Sequence, residues 1–274
     1  MIHPLIIRRN VRYAIMENMY NEKIKENDRQ LTLRNRSRLF DNKNLLFWYE
    51  KLFAFQFAGI DDVREKKILE IGSGTSPMKY FYDNVITSDI LDLDYLDIVF
   101  DCHDIDQCEK IEYGSLDVIV LTNVLHHLKD PLKFLLKTSL MLKEGGSVVL
   151  TEPYFSTISK FIYEKIHHEF SSFDVSEPVL KDVDGPLSSA NLALPFIIFF
   201  GRKGWDEPLK FVYKYDAAST RFFSSLSYMM TGGISRKIPI PFLLYRCLFQ
   251  IDLMCSQIFP KLFSSFFVIR LEKK

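Results

Sequence analysis

A carboxylate and two glycines stand together at the end of a short apolar run. Lys67 to Ile71 (KILEI) runs into Gly72-Ser73-Gly74, with Glu70 two residues before the first glycine. A Gly-x-Gly turn between a strand and a helix lets a ligand approach the backbone, and many nucleotide-binding units share it. A dinucleotide fingerprint asks for a third glycine at position 77, where this chain carries Pro77. Glu70 would repel a pyrophosphate and suits a cationic amino or sulfonium group instead. Asp89 follows Gly72 by 17 residues at the end of a second apolar run, placed to accept from both hydroxyls of a ribose. Asp101 ends a third run, where an adenine ring would rest and donate its exocyclic amine to the carboxylate. The expected ligand is a cationic nucleoside.

Histidine supplies the candidate proton acceptors, being the side chain best matched to neutral pH. Four of the six come as pairs, His126-His127 and His167-His168, and His103 lies in the expected adenine loop. His126 and His127 fall just past a fourth apolar run, at the sheet edge where doubly wound folds bind ligands. Two readings stand for them: a base or acceptor contact, or a helix-start pair packed under a lid. His168, followed by Glu169, is the second candidate for the base, although a helix C-terminal dipole alone would also favour it there. No metal is expected, because His126, His127, His103 and Cys102 show no recognised zinc spacing.

These residues need a strand-turn-helix scaffold, and the sequence spells one. Ser76-Pro77 reads as an N-cap with proline at the first helical position. Val85 to Ser88 and Ile98 to Phe100 read as strands ending at Asp89 and Asp101. Leu116 to Leu121 is apolar after Asp117, as a strand buried on both faces requires. Asp130-Pro131 caps a helix running to Leu142 and stopping at Gly145-Gly146, and Ser147 to Thr151 is a fifth strand. Alternating strands and helices imply an α/β fold with a doubly wound sheet. Upstream, residues 1–58 read as helical with Gly59 as the stop. Downstream, Ser156 caps a helix over 156–169, Asp184-Gly185-Pro186 is a turn, and Leu209 to Tyr215 is a sixth strand. Pro241 to Gln257 is an amphipathic helix and Phe266 to Leu271 closes the sheet.

Taken together, Glu70-x-Gly72-x-Gly74, Asp89, Asp101, Asn123-Val124-Leu125-His126-His127-Leu128, Asp130-Pro131 and Leu142-Lys143-Glu144-Gly145-Gly146 resemble the class I S-adenosylmethionine-dependent methyltransferases. The resemblance covers residues 67–152. It departs at Ser76, where many members carry a third glycine, and at Glu144, where proline is usual. It implies a Rossmann-like methyltransferase sheet with S-adenosyl-L-methionine as cofactor, held by Glu70, Gly72, Ser73, Gly74, Asp89, Ile90, Asp101, Cys102, Asn123 and Val124. It implies one domain, with a helical cap (1–59), a cofactor core (60–152), a mostly helical lid with a sixth strand (153–262) and a final strand (263–274). More loosely, residues 152–200 look like bacterial members associated with cell-surface polysaccharide synthesis. That likeness implies O-methylation of a sugar or lipid-linked glycan hydroxyl, with quinones or other small secondary metabolites as the alternative acceptors. A catalytically silent cofactor-binding partner protein is the rival from another class.

The 35 basic and 35 acidic side chains cancel only on average. Residues 67–130 hold 4 basic and 13 acidic groups, net −9, so the expected ligand face is acidic and nucleic acid is not an expected partner. Four cysteines without a CxxC pair suggest reduced thiols in a cytoplasmic protein. MIHPLIIRRN places its charges after the apolar residues, the reverse of a signal peptide. The longest apolar stretch, Leu192 to Phe200, is well short of the ~20 residues that span a bilayer. Phenylalanine, at 24 residues, concentrates in the cap and lid. It reads either as core or as an acceptor groove and peripheral membrane contact, with Arg8, Arg9, Arg12, Arg236 and Lys237 beside apolar residues.

Overall fold

The computed structural model describes residues 4–165, 170–181, 189–216, 220–224 and 226–274, with side chains from residue 22 onward. Two helices open the chain, α1 (Pro4–Phe40) and α2 (Lys43–Gln56). Asn42 separates them by accepting from the Leu45 amide. α2 ends three residues before Gly59, whose φ of +82° belongs to the following turn.

The strands are β1 (Ile68–Ile71), β2 (Val85–Asp89), β3 (Ile98–Val99), β4 (Leu116–Thr122), β5 (Leu142–Pro153), β6 (Tyr213–Lys214), β7 (Arg221–Phe223) and β8 (Phe266–Lys273). They form one sheet in the order β3-β2-β1-β4-β5-β8-β6, with β7 also pairing β8. The first five are parallel, Ile68 lying beside both Val85 and Val118. β8 runs antiparallel to β5, with Val149 opposite Arg270. The order reverses between β1 and β4, and a doubly wound sheet opens a crevice at the carboxyl ends of its strands at such a point.

Both faces of the sheet are covered, which is why β1 and β4 are apolar nearly throughout. On one face Ile68, Val118, Val120 and Val149 pack with Trp48, Leu52 and Phe53 of α2 and with Tyr245 and Phe249 of a later helix, α9 (Phe242–Ile258). On the other, Leu69, Ile119, Leu121 and Leu150 pack with Phe134 and Leu135 of α4 (Pro131–Met141) and with Leu194 and Ile198 of α6 (Ala193–Phe200). Asp130 caps α4 as its sequence requires, accepting from the Lys133 amide.

Several local expectations shift. α3 (Met78–Phe81) is a single turn starting one residue later than Pro77, although the Ser76 hydroxyl still accepts from the Met78 amide. α4 ends at Met141, ahead of the two glycines, because β5 begins at Leu142 with its own pairing to Leu116. Leu209 to Tyr215 is not a strand throughout. Leu209–Val212 is a helical turn, α7, against α4, and only Tyr213 and Lys214 pair with β8. The Tyr213 hydroxyl decides this, since it donates to Leu135 O at 2.9 Å and holds the segment beneath α4. α5 (Thr157–Lys165) follows Ser156 as expected. The short helices α8 (Ser227–Thr231) and α10 (Pro260–Phe263) complete the mostly helical stretch between β5 and β8. Residues 166–169 and the 184–186 turn lie outside the described residues.

Candidate active site

A cavity of about 890 Å³ opens at the carboxyl ends of β1, β2 and β4. Ligand pockets occupy roughly 300–1,000 Å³, so this one lies toward the upper end of that range. A shallower cleft of about 260 Å³ lies at the opposite, amino-terminal edge of the sheet, between Gly59 and Gly145. A doubly wound sheet places its chemistry at the other end.

The glycine turn forms the cavity floor. Gly72 has φ +76°, and a Cβ there would stand 2.5 Å from Val124 Cγ2. A Cβ on Gly74 would stand 2.9 Å from Thr32 Cγ2 and 3.0 Å from Asp89 Oδ2. The loop is pinned from outside the motif: the Tyr95 hydroxyl donates to Gly74 O (2.5 Å) and Arg36 Nη1 to Ser76 O (2.5 Å). The Arg36 guanidinium stacks 4.1 Å above the Tyr95 ring, so the cap helix α1 clamps the turn.

The carboxylates divide by environment. Asp89 lines the cavity, accepts from the Gly74 and Leu91 amides at 2.9 and 3.0 Å, and is raised from its ordinary pKa by burial against those donors. Glu70 lies beneath the floor instead, 1% exposed, and the Ser73 and Ser76 hydroxyls donate to it. Burial pushes its pKa up to about 7 against those hydroxyls and the Arg36 charge. Ser73, equally buried, does not line the cavity either. Asp101 does, at the rim, where it accepts from the His103 amide (2.9 Å) and pairs with His103 Nδ1 (2.7 Å), which lowers its pKa. Ile90, Cys102, Asn123 and Val124 all line the cavity.

Asp101, Cys102 and His103 bring three potential metal-donor atoms within 4.8 Å of one another. Two of the three already have partners: Asp101 pairs with His103 Nδ1, and His103 Nε2 accepts from the Lys129 amide, so both ring nitrogens are engaged. Burial pushes the Cys102 thiol up.

Past β4 the wall carries the histidines. Asn123 turns the chain with φ +56°, and its Oδ1 is buried without a hydrogen-bond partner among the described residues. His126 and His127 follow on a 3-10 turn (Leu125–His127), their ring centroids 4.2 Å apart, and both line the cavity. His126 is 2% exposed and its Nδ1 lies 2.6 Å from Oε2 of the fully buried Glu152, at the end of β5. The other oxygen, Oε1, accepts from the Val124 and Leu125 amides at 3.0 and 2.6 Å. A carboxylate only accepts, so Nδ1 carries a proton, and in the neutral ring Nε2 then holds the lone pair. His127 Nδ1 donates to Ser189 O at 2.9 Å. His168 lies outside the described residues.

Residues 31–176, just over half of the chain, match the methyltransferase domain family. The chain belongs to that family. This methyltransferase has no match among curated proteins. Among solved structures it is similar to an S-adenosylmethionine-dependent methyltransferase from Archaeoglobus fulgidus, at 15% identity over 95% of this chain and 99% of that one, with a TM-score of 0.42. It is also similar to one from Thermotoga maritima described as a possible histamine N-methyltransferase, at 13% identity over 94% and 99%, with a TM-score of 0.48. Membership of the methyltransferase domain family makes S-adenosyl-L-methionine its cofactor. Its cavity fits that group: Gly72 and Gly74 line it without side chains, Asp89 faces in as an acceptor, and Asn123 Oδ1 is a buried acceptor with no donor among the described residues.

Sequence reasoning missed three parts of this wall. Glu152 marked only the end of a strand pattern, although a carboxylate closing a parallel strand beside the post-β4 turn is itself a signal. Arg36 and Thr32 of α1, and Tyr95 between β2 and β3, had no signal in spacing, because only packing brings Arg36 to Ser76 and the other two to Gly74. The acidity of residues 67–130 serves the scaffold more than the ligand. Asp97 accepts from Thr87 and pairs with Lys79, Asp117 accepts from the Lys67 amide and pairs with Lys143, and Asp106 pairs with Lys137.

Proposed function

We propose that this methyltransferase methylates a hydroxyl group, with His126 as general base and Glu152 as the residue that positions it. S-adenosylmethionine supplies a methyl group already activated on a positively charged sulfur. The protein then has two tasks: to align the acceptor and to receive its proton. A hydroxyl is a poor acid, and a positioned base is worth roughly 10²–10⁴-fold in rate. The observation that carries the reading is the His126 Nδ1 to Glu152 contact of 2.6 Å on the cavity wall. Glu152 fixes the tautomer that leaves Nε2 to accept the proton, the role a buried carboxylate plays for histidine in hydrolytic triads. His127 contacts the acceptor. For the cofactor, Gly72 and Gly74 give backbone approach, Asp89 accepts from the ribose hydroxyls, Asp101 and Cys102 border the adenine with Ile90, and Asn123 and Val124 flank the reacting end. Glu70 and Ser73 act from beneath, by shaping the glycine turn.

The acceptor half of the cavity is lined by Tyr49, Ile162, Tyr163, Leu192, Met229 and Phe266. Apolar walls with few polar groups suit an amphiphile, which favours a lipid-linked glycan hydroxyl over a free sugar. A quinol or other flat phenolic metabolite is the second reading, favoured by Tyr49, Tyr163, Tyr228 and Phe266 in the same half. Peripheral association with a membrane, from the cytoplasmic side, accompanies the first reading. No helix among the described residues is long and apolar enough to cross a membrane.

Release of S-adenosylhomocysteine, measured with lipid-linked glycans, free sugars and phenols as acceptors, tests this reading. The expected result is turnover with one hydroxylated class and a loss of roughly 10²-fold or more in kcat for His126→Asn with cofactor affinity kept. Turnover unaffected by His126→Asn overturns the assignment of the base. Tight cofactor binding without turnover of any class favours a silent binding protein.

A further inference from the structure

Helix α9 shows two unlike faces. Tyr245, Phe249, Asp252 and Ser256 are buried against the sheet layer. The opposite face carries Leu243, Cys247, Ile251, Met254 and Ile258, a stripe following the helical repeat over its 17 residues, or roughly 25 Å. Leu243 is 74% exposed, Ile251 55%, Met254 54% and Ile258 59%. Phe242, Leu244, Phe259 and Leu262 extend the patch at both ends, all exposed. Single exposed apolar residues are ordinary on a protein surface, but a continuous stripe of this length marks a contact.

Charge selects what covers it. Between Asp216 and Glu272 the sequence has six basic residues and one acid, Asp252. That acid is buried and accepts from the Leu226 and Ser227 amides. Arg236, Lys237, Arg246 and Lys261 are exposed around the stripe, and none is in an ion pair among the described residues. An apolar stripe edged by cations, whose own segment from 217 to 271 carries no exposed acid, matches an anionic bilayer surface. A second copy fits worse, because a two-fold contact between the stripes would bring their flanking cations together, and the 217–271 segment itself supplies no exposed acid to offset them. The cavity opens beside this helix: Ser235, Arg236 and Ile238 are exposed, line the cavity, and lead through Pro241 into α9.

We propose that α9 is an interfacial helix that seats the protein on an anionic lipid bilayer and turns the cavity rim toward the headgroups. The bilayer contact stands on the surface alone, whereas delivery of a lipid-linked acceptor to the rim rests on the hydroxyl reading above. Aliphatic side chains of α9 enter the headgroup and acyl boundary, and Arg236, Lys237, Arg246 and Lys261 face lipid phosphates.

Co-sedimentation of the full chain with vesicles of phosphatidylcholine, with or without phosphatidylglycerol, tests the contact. The expected result is binding to the anionic vesicles roughly tenfold tighter or more than to the neutral ones, falling with added salt. Ile251→Glu with Met254→Glu loses roughly tenfold or more of that binding, and Arg246→Glu with Lys261→Glu loses the preference for anionic lipid. Both variants change exposed positions outside the cavity, so melting temperature and S-adenosylhomocysteine affinity stay at the wild-type values. The proposal is overturned if the wild-type chain stays in the supernatant with anionic vesicles at low salt, or if the stripe variant sediments equally. It is also overturned if sedimentation velocity shows a dimer that the stripe variant dissociates. Turnover on a detergent-dispersed acceptor separates the two readings. Turnover without vesicle binding removes the docking alone, and vesicle binding without turnover removes the hydroxyl reading alone.

Discussion

Asp89 offers the most direct test of the cofactor site, because binding is measured without knowing the acceptor. Its carboxylate already holds the Gly74 and Leu91 amides at 2.9 and 3.0 Å, one on each oxygen, and still faces the cavity. Removing it in Asp89→Ala therefore costs the glycine turn an anchor and, on the proposed role, costs the ribose hydroxyls their acceptor. Hydrogen bonds to a charged group are worth about 1.5–3 kcal/mol, so S-adenosylhomocysteine affinity should fall about 10- to 150-fold by calorimetry. A loosened turn alone would also weaken binding, so a single variant does not separate the effects. A double-mutant cycle does. Wild-type and Asp89→Ala proteins are each titrated with S-adenosylhomocysteine and with its 2′,3′-dideoxy analogue. If Asp89 accepts from the ribose hydroxyls, the two losses overlap, and the coupling energy is about 1.5 kcal/mol or more. Losses that add to within ~0.5 kcal/mol would show that Asp89 acts only on the loop, and the ribose assignment would be wrong.

Glu152→Gln should be nearly isosteric but should present an amide N–H toward His126 Nδ1, forcing the ring into the tautomer whose Nε2 cannot accept a proton. The expected outcome is a kcat loss of roughly 10²–10³-fold with cofactor affinity within about threefold, and a kcat within threefold of wild type would contradict the positioning role. Glu70 predicts a pH effect on stability. Its folded pKa is raised from 4.5 to about 7, so between those values the native chain binds more protons than the unfolded chain, and this group's contribution falls as pH rises. Glu70→Gln should therefore gain stability relative to wild type on going from pH 5 to pH 7.5 in thermal melts. An unchanged difference across that range would show that the carboxyl is not held in this way.

The sequence determined the sheet and the floor of the site because both depend on short-range patterns. A strand running into Gly72-Ser73-Gly74 spells a tight turn, and the φ of +76° at Gly72 is one that glycine adopts freely. Asp89 and Asp101 were legible because a strand end at a regular interval places a carboxylate at the sheet edge. Glu70 was legible as a carboxylate near the turn but not in its orientation: β1 is buried on both faces, and the Ser73 and Ser76 hydroxyls hold Glu70 below the cavity rather than in it.

Tertiary structure alone decided which histidine gains a carboxylate partner. His126 and His127 are adjacent and chemically identical in the sequence, and Glu152 lies 26 positions from the first of them. Parallel pairing of β4 with β5, Thr122 beside Thr151, brings that carboxylate under the post-β4 turn and leaves His127 to a backbone carbonyl. The same holds for Arg36, which reaches Ser76 across 40 positions because α1 folds over the carboxyl ends of the strands. Periodicity records which face of an element is buried, but not which distant element covers it. The glycine turn of this site is therefore written in local sequence, and its histidine–carboxylate pair and its clamp are set by packing between elements.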